Sequence, residues 1–297
     1  MNLPAGCTAR PLVPEDARAV FEMIAASELA VIGTVAIEEA DIIGDWARPS
    51  FDLAASTTGV FDGDRLIGYA EVSGPARGDA AVHPEYLGRG IGTALAGWMQ
   101  RTARAQGQHE IGMPVPAGSP GESLLRELGY RTRWTSWVLV LPEGRSIATQ
   151  PLPAGYALRV AGSEDLQAAY EVVEDAFLEW SVREKQTFAD WSAGVVERPG
   201  YAPWNLQVVR APDGSVAGAV HVTLSEDTGF VSKVAVRRDQ RGLGLARALL
   251  AAAFTDAREH GATRSELSTD SRTGALDLYL GIGMEIDSTW VNLGIDL

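Results

Sequence analysis

The chain has 297 residues, of which 46% are apolar, and its formal net charge is −14. This length and apolar fraction suffice for two domains of about 150 residues each. The acidic excess disfavours nucleic-acid binding, because phosphates would be repelled over most of the surface. Two interpretations of the charge stay open: it serves solubility, or it favours a cationic substrate such as an amine.

Cys7 is the only cysteine, so neither an intrachain disulfide nor a cysteine-rich metal site can form. No run approaches the roughly 18 apolar residues that span a bilayer, and residues 1–10 lack a basic segment followed by an apolar stretch. We therefore expect a cytoplasmic protein, a monomer or homodimer, without membrane, nucleic-acid or metal partners.

Several sequence landmarks occur twice along the chain. Residues 4–6 and 153–155 are both Pro-Ala-Gly, and an amphipathic stretch follows each of them. From the glycine-rich loops to the chain ends the two copies are 154 residues apart. This register predicts a duplication, with domains at residues 1–146 and 154–297 and a proline-rich linker near residues 142–153.

The residue pattern of the second half predicts alternating strands and helices. In chain order these are a strand at 157–160, a helix at 166–177, hairpin strands at 205–210 and 216–224, a strand at 230–236, a helix at 246–257, a strand at 266–268, a short helix at 274–280 and a strand at 290–295. This order predicts an α/β fold in which helices cover a mixed sheet.

A glycine-rich loop, Arg241-Gly242-Leu243-Gly244-Leu245-Ala246, joins a predicted strand to a predicted helix. Backbone N–H groups and the helix dipole can bind an anion such as a diphosphate there, although glycines also serve purely conformational roles in such turns. The loop lacks the third glycine of a dinucleotide fingerprint and the Gly-Lys-Ser/Thr of a P-loop. Residues 233–247 carry five basic side chains and one acidic one, whereas the matching residues 79–93 carry one basic and two acidic. The second loop is therefore the better anion site.

These residues, with Leu278-Tyr279 and Gly283-Met284 further on, resemble the GCN5-related N-acetyltransferase (GNAT) superfamily. The resemblance implies two tandem GNAT-like α/β domains, each a mixed, splayed sheet flanked by helices, with acetyl-coenzyme A wedged between the fourth and fifth strands. It implies that the strand backbone holds the pantetheine arm and that the loop N–H groups hold the pyrophosphate. The cofactor-binding residues by this resemblance are Val234, Ala235, Val236, Arg241, Gly242, Leu243, Gly244, Leu245 and Ala246.

The whole chain resembles tandem GNAT proteins of the mycothiol synthase type in architecture. Phe230 stands where such an enzyme carries a glutamate, so the resemblance does not extend to mycothiol synthesis. Leu87 replaces the usual Arg or Gln of the first loop, and Arg272 stands where many members have Asn. We therefore expect the N-terminal half to be a degenerate scaffold and the C-terminal half to be catalytic.

Acyl transfer from a thioester to an amine needs a neutral amine, a stabilised oxyanion and a leaving thiolate. Tyr279 is the predicted general acid for the thiolate; its alternative role is a buried aromatic on a short helix. The resemblance implies that the oxyanion donor is a backbone N–H of residues 234–236, since fixed dipoles stabilise developing charge without reorganisation. Glu226, in the turn before the strand, is the first candidate base, and the alternatives are Asp227, His221 and Glu266.

The resulting hypothesis is an acetyl-coenzyme A-dependent N-acyltransferase acting on a small-molecule or peptide amine through a direct ternary complex. Residues 177–204, where aromatics alternate with carboxylates, are the candidate acceptor segment, or else a packed helix with an acidic surface. The alternative is a non-catalytic coenzyme A sensor or partner-binding module. A dinucleotide-dependent oxidoreductase is disfavoured by the missing third glycine.

Overall fold

The computed structural model describes residues 1–148 and 150–297; Thr149, inside the predicted linker, lies outside the described residues. The described chain divides into two compact units. Unit 1 comprises Met1–Ser136 and Ser288–Leu297, and unit 2 comprises Trp137–Asp287. Over the same residues, every helix is too short or too polar to cross a membrane. The predicted α/β architecture is confirmed.

Unit 1 alternates helices and strands before ending on a long strand that continues into unit 2. Its elements are β1 (Cys7–Arg10), α1 (Ala17–Ile32), α2 (Glu39–Trp46), α3 (Leu53–Ser56), β2 (Thr57–Asp62), β3 (Arg65–Gly74), β4 (Arg77–Val82), α4 (Ile91–Ala105), β5 (Glu110–Pro116), α5 (Pro120–Glu127) and β6 (Arg131–Val140).

Two apolar clusters lie in unit 1, each made by helices packed on strands. Helix α4 packs on β2, β3 and β5 through buried residues such as Leu95, Met99 and Ile111. Helices α1 and α2 form a second cluster with residues such as Phe61 and Tyr69. The apolar residues of each helix lie on one side of it, as burial against a sheet requires.

Unit 2 repeats this arrangement of helices and strands. Its elements are β7 (Ala157–Val160), α6 (Leu166–Leu178), α7 (Phe188–Gly194), β8 (Leu206–Arg210), β9 (Val216–Ser225), β10 (Thr228–Val236), α8 (Leu245–Glu259), β11 (Arg264–Asp270) and α9 (Leu276–Gly281). The last strand, β12 (Glu285–Asp296), begins at the end of unit 2 and lies mostly in unit 1. Strands β7 to β10 are antiparallel neighbours, and β10 and β11 are parallel.

The sheet of unit 2 is covered on both faces. Helix α8 packs on one face through Leu249, Ala253 and Phe254, which contact a cluster that includes alternate residues of β9 and β10. Helices α6 and α7 cover the opposite face, where Trp191 and Val173 lie in a cluster with other residues of the same strands. Strands buried on both faces explain why β9 and β10 are apolar almost throughout.

The division of the chain into units follows packing and not the predicted repeat boundaries. Residues 288–297 belong to unit 1, where β12 pairs with β5 from Trp290↔Pro116 to Asp296↔Glu110. Residues 137–147 pack with unit 2, through Leu139, Leu141 and Ile147. Each unit thus contains a segment from the other half of the sequence. The repeat boundaries at 146 and 154 stay a prediction, because packing does not test where the duplicated sequences meet.

Leu293 lies on β12, is fully buried and belongs to the core of unit 1. Leu293→Ala is expected to destabilise unit 1 by about 2–5 kcal/mol through a buried cavity. Hydrogen exchange should show faster exchange in β2, β3 and β5, with β8 to β10 little changed. Ile286→Ala, on the exposed beginning of the same strand, is the matched control. A loss of protection confined to unit 2 would contradict this assignment of β12.

Candidate active site

Strands β10 and β11 pair over only part of their length. Their parallel register runs from Thr228↔Arg264 to Val231↔Leu267, whereas β10 continues to pair with β9 as far as Val236↔Gly218. A bulge lies between Val231 and Lys233, where the pairing with β11 ends. Beyond this point the two parallel strands separate, which leaves one edge of β10 open.

The backbone of β10 presents hydrogen-bonding groups to this open edge. The N–H of Arg237 donates to the carbonyl of Ala217 on the β9 side at 2.9 Å. Because alternate residues of an antiparallel strand face opposite neighbours, the N–H and C=O groups of Val234 and Val236 face away from β9. The side chain of Ala235 is buried beneath α6 and α7. The two valines predicted to hold the pantetheine arm therefore face the gap with their backbone.

The loop after β10 has the backbone conformation that its glycines predict. Gly242 and Gly244 have φ of +79° and +78°, in the left-handed region that favours glycine. Gly244 caps α8, and the first helical bond runs from the N–H of Ala248 to the carbonyl of Gly244 at 3.1 Å. The N–H groups of the first turn, including those of Leu245 and Ala246, therefore have no helical partner and can bind an anion.

Side chains around the loop leave its N–H groups accessible. Leu245 is buried and anchors α8 in the core, whereas Leu243 is 41% exposed. Arg241 extends beside the open edge, where its Nε donates to the carbonyl of Val236 at 3.2 Å. A diphosphate fits this donor set, because convergent N–H groups and a guanidinium are the usual ligands of phosphate oxygens.

Tyr279 lies on α9 in the same cluster as Val231, Val234 and Val236. It is 7% exposed, and burial raises the pKa of its phenol to about 12. Within the described residues its hydroxyl has no hydrogen-bond partner. The phenol is thus protonated at neutral pH, and its hydroxyl is available as a hydrogen-bond donor. The corresponding residue in unit 1, Leu125, is a buried alkyl side chain.

The model of the acetyltransferase (GNAT) family matches the chain twice, over residues 22–130 and 166–284. The chain belongs to the GNAT family. It is an N-acetyltransferase of the tandem type, and GNAT enzymes use acetyl-coenzyme A as the acyl donor. The two matches fall in the two halves that the sequence landmarks delimit.

Relatives of the same length support this tandem assignment. A mycothiol acetyltransferase of Salinispora arenicola (strain CNS-205) is 31% identical over 256 residues, covering 76% of this chain and 77% of the relative. A GCN5-related N-acetyltransferase from Sphaerobacter thermophilus has a TM-score of 0.74 at 27% identity, covering 99% and 97% of the two chains. A tandem GNAT protein from the clavulanic acid biosynthesis pathway also has a TM-score of 0.74, at 19% identity and 98% coverage of both chains, and shows the same fold.

The structure does not bring the first candidate base to the gap. Glu226 is an exposed residue of the β9–β10 turn with φ of +49°. Val234 is eight residues further along, which is about 26 Å on an extended strand. Asp227 lies in the same turn, where it accepts a hydrogen bond from Thr263 at 2.7 Å. Neither carboxylate is near the part of β10 that separates from β11.

The other two candidate bases lie closer to the gap but are engaged. His221 is buried, and its Nδ1 lies 2.6 Å from the hydroxyl of Ser232, in the bulge of β10. Burial lowers the pKa of His221 to about 3, with nearby Lys233 and Arg198 contributing, so the imidazole is neutral at physiological pH. Glu266 pairs in register with Phe230 and binds Arg264 at 2.5 Å. The Ser232–His221 pair is the polar feature that sequence reasoning missed, because a bulge is not encoded by periodicity.

The candidate acceptor segment, residues 177–204, divides between core and surface. Trp191 is almost fully buried and stacks on Phe188 with ring centroids 5.8 Å apart, as expected of a packing residue. Trp180 is half-buried, and the Arg272 guanidinium lies 4.8 Å from the centre of its ring. Trp204 stacks on His260 at the end of α8. Of these three indoles, only that of Trp180 lies beside a residue that follows β11.

Unit 1 keeps the loop conformation but differs in charge. Gly88 and Gly90 have φ of +74° and +84°, and Gly90 caps α4. Glu71 pairs in register with Asp79, in the positions that His221 and Lys233 occupy in unit 2. Glu71 is buried and accepts hydrogen bonds from the Tyr69 hydroxyl and, at 3.4 Å, from the Trp46 indole. An alignment of β3 and β4 with β9 and β10 would have shown from the sequence that an acidic pair in unit 1 takes the place of the histidine–lysine pair in unit 2.

Burial, reinforced by Asp79 and Asp45, raises the pKa of Glu71 to about 7. A carboxyl with a raised folded-state pKa binds more protons when folded, so its contribution to stability falls as pH rises from about 4.5 to 7. Glu71→Gln removes this dependence. We expect the variant to match the wild type near pH 5 and to exceed it at pH 8 by on the order of 3 kcal/mol in unit 1.

Urea denaturation at the two pH values, with exchange of β2 and β3 amides as the local probe, measures this difference. Glu110→Gln, in the same unit but half-exposed, is the control. Parallel stability profiles for wild type and Glu71→Gln from pH 5 to 8 would show that the buried carboxyl does not titrate there.

Proposed function

We propose that unit 2 transfers the acetyl group of acetyl-coenzyme A directly to a primary amine of a small molecule or peptide, within one ternary complex. The observation that carries this proposal is the end of β10–β11 pairing at Val231↔Leu267, which opens the backbone of Val234 and Val236. Tyr279 belongs to the same apolar cluster as these two residues. The anion-binding loop lies directly after the same strand. An open strand edge, a diphosphate cradle and a free phenol are thus combined in one unit.

When bound, acetyl-coenzyme A supplies the thioester. The N–H groups of Gly242, Gly244 and the first turn of α8 bind the diphosphate, and those of Val234 and Val236 orient the pantetheine and stabilise negative charge on the carbonyl oxygen. Preorganised backbone donors suit this task because they need no reorientation as charge develops.

Tyr279 supplies the proton for the departing sulfur as the carbon–sulfur bond breaks. An alkylammonium acceptor loses one proton before it attacks and a second as the amide forms. The second proton restores the phenol through solvent, so the protein ends the cycle unchanged. A pKa of about 12 keeps the phenol protonated until a thiolate develops beside it.

Removal of the first ammonium proton is assigned to solvent in the gap. Glu226 is not retained for this role, because it lies in an exposed turn at the far end of β10. His221 is neutral but weakly basic, since its pKa is about 3. This arrangement predicts a rate that rises with pH as the free amine becomes available, up to the pKa of the acceptor itself.

Unit 2 is preferred to unit 1 for the reaction because three groups differ between equivalent positions. Arg241 corresponds to Leu87, Tyr279 to Leu125, and the loop of unit 2 is cationic where that of unit 1 is weakly anionic. The backbone conformation of the two loops is the same. Side chains, and not the fold, therefore assign the chemistry to unit 2.

The proposal that the acceptor is an amine rests on the chemistry of the family, and not on the name of a relative. Mycothiol acetyltransferases are 27–31% identical to this chain. Phe230, in the part of β10 that pairs with both β9 and β11, stands where the resemblance places the glutamate of that enzyme type.

Among the described residues, none of the four candidate general bases is both at the gap and free to accept a proton. This favours one alternative, a coenzyme A sensor without transferase activity. Calorimetric titration with acetyl-coenzyme A, followed by an assay of thiol release with a panel of primary amines, separates the two functions. Tight binding without release in the presence of any amine would select the sensor.

Tyr279→Phe is expected to lower kcat about 100-fold, because a general acid contributes roughly that factor when the leaving group is a thiolate. The dissociation constant of acetyl-coenzyme A should change less than two-fold, since the ring and its packing remain. Because the phenol pKa is about 12, the loss should be the same at pH 7 and pH 9.5. Thiol-release kinetics and calorimetry measure the two quantities.

Tyr130→Phe is the matched control, since this phenol is also buried but lies in unit 1. Turnover by Tyr279→Phe equal to that of the control would remove the phenol from the mechanism. If kcat is lowered at only one of the two pH values, the phenol changes its protonation state between them, which contradicts a pKa of about 12.

A further inference from the structure

The arginine of the diphosphate loop is paired with a carboxylate. Arg241 Nη1 and Nη2 donate to the two oxygens of Glu179 at 2.9 and 2.7 Å, which is a bidentate pair. Hydrogen bonding to Arg241, with Arg238 nearby, lowers the pKa of Glu179, so the carboxylate is ionised at neutral pH. A carboxylate in this geometry presents two oxygens to the guanidinium, as a phosphate does.

Glu179 lies directly after α6, and the next residue contacts the other side of the gap. Arg272 follows β11, and its guanidinium lies 4.8 Å from the ring centre of Trp180, within cation–π distance. Arg272 is held in turn by Asp270 at 2.7 and 3.1 Å. The end of α6 is therefore fastened to the residue that follows β11 through Trp180 and to the loop that follows β10 through Glu179.

We propose that Glu179 is an internal competitor for the diphosphate of acyl-coenzyme A, which occupies Arg241 in the free protein and releases it when the diphosphate binds. This inference rests on the proposed function of the loop. This exchange breaks the contact of Glu179 with Arg241, which joins the end of α6 to the loop after β10. The contact of Trp180 with Arg272, on the β11 side, remains. Cofactor binding then loosens the beginning of residues 179–187, the segment that joins α6 to α7.

The repeat provides independent support, because both partners are absent together from unit 1. Leu87 occupies the position of Arg241, and Ala30 occupies that of Glu179 at the 149-residue offset of the two N-terminal helices. The helices align in burial as well as in sequence, since Val20 and Ala169 are both fully buried at this offset. The carboxylate is present in the half that has arginine at this loop position and absent from the half that has leucine there.

Solvent exposure makes this pair easy to exchange. The side chains of Arg241 and Glu179 are 44% and 35% exposed, and an exposed ion pair shifts an equilibrium by only a few-fold. A diphosphate carries more negative charge than one carboxylate and also binds the N–H groups of the loop. The competitor therefore weakens cofactor binding without preventing it.

Calorimetric titration of the full chain with acetyl-coenzyme A tests this inference. Glu179→Gln should bind about two- to five-fold more tightly than wild type, because the competing carboxylate is removed. Asp175→Asn is the matched control: it lies one turn earlier on α6, removes the same charge and pairs with Lys185 instead. The same substitution in an Arg241→Gln background should give no gain, because the arginine that Glu179 occupies is then absent.

Three results would overturn the inference: equal or weaker binding by Glu179→Gln, an equal gain in Asp175→Asn, or a gain that persists in the Arg241→Gln background. The last two would assign the effect to net charge alone. The wild-type titration and the Tyr279→Phe assay test the proposed function separately. Suppose that wild type binds acetyl-coenzyme A and Tyr279→Phe loses turnover, but Glu179→Gln does not bind more tightly. The proposed function then stands, and only the role of Glu179 as a competitor is excluded.

Discussion

Beyond Val231, strand β10 has a neighbour on one side only, and the N–H and C=O groups on its other side need partners. Backbone polar groups are rarely left unpaired inside a protein, so a strand that opens in this way requires a ligand or solvent. The loop follows β10 directly, the tyrosine on α9 packs in the same apolar cluster as Val234 and Val236, and Glu179 after α6 binds the arginine of the loop. The site in unit 2 is a consequence of one interrupted strand pair.

The two units have the same loop backbone conformation but different charged and polar residues inside their sheets. Where unit 2 has a neutral imidazole opposite Lys233, unit 1 has a buried carboxyl opposite Asp79. Each buried group is held by a local hydrogen bond, His221 to Ser232 in the bulge of β10 and Glu71 to Tyr69 on β3. Divergence after duplication has therefore altered the interior polarity of the sheets while leaving the loop conformation intact.

Much of the fold could be read from the sequence, because its signals are local. Gly242 and Gly244 require a left-handed backbone between a strand and a helix, and the structure has it. The apolar spacing of α8 and the β8–β9 hairpin were likewise predictable from periodicity and turn residues. These features depend on neighbours within a few residues along the chain.

Other features depend on register and packing over long sequence distances. Glu226 is adjacent in sequence to the strand that borders the gap, but its distance from the gap depends on which end of β10 separates from β11. The pairing of Glu179 with Arg241 joins residues 62 apart. The assignment of β12 to unit 1 has no sequence signal, because a strand pattern does not specify its partner.

The segment exchange between units has a consequence for synthesis. The core of unit 1 contains Val291, Leu293 and Ile295, so its sheet is incomplete until these residues have left the ribosome. While unit 2 is translated, residues 1–136 are already synthesised, but β5 has not yet paired with β12. An unpaired strand edge can pair with another chain. Helix α4 packs against β5 in the core of unit 1, so early docking of α4 would shield one face of this strand while its edge is unpaired.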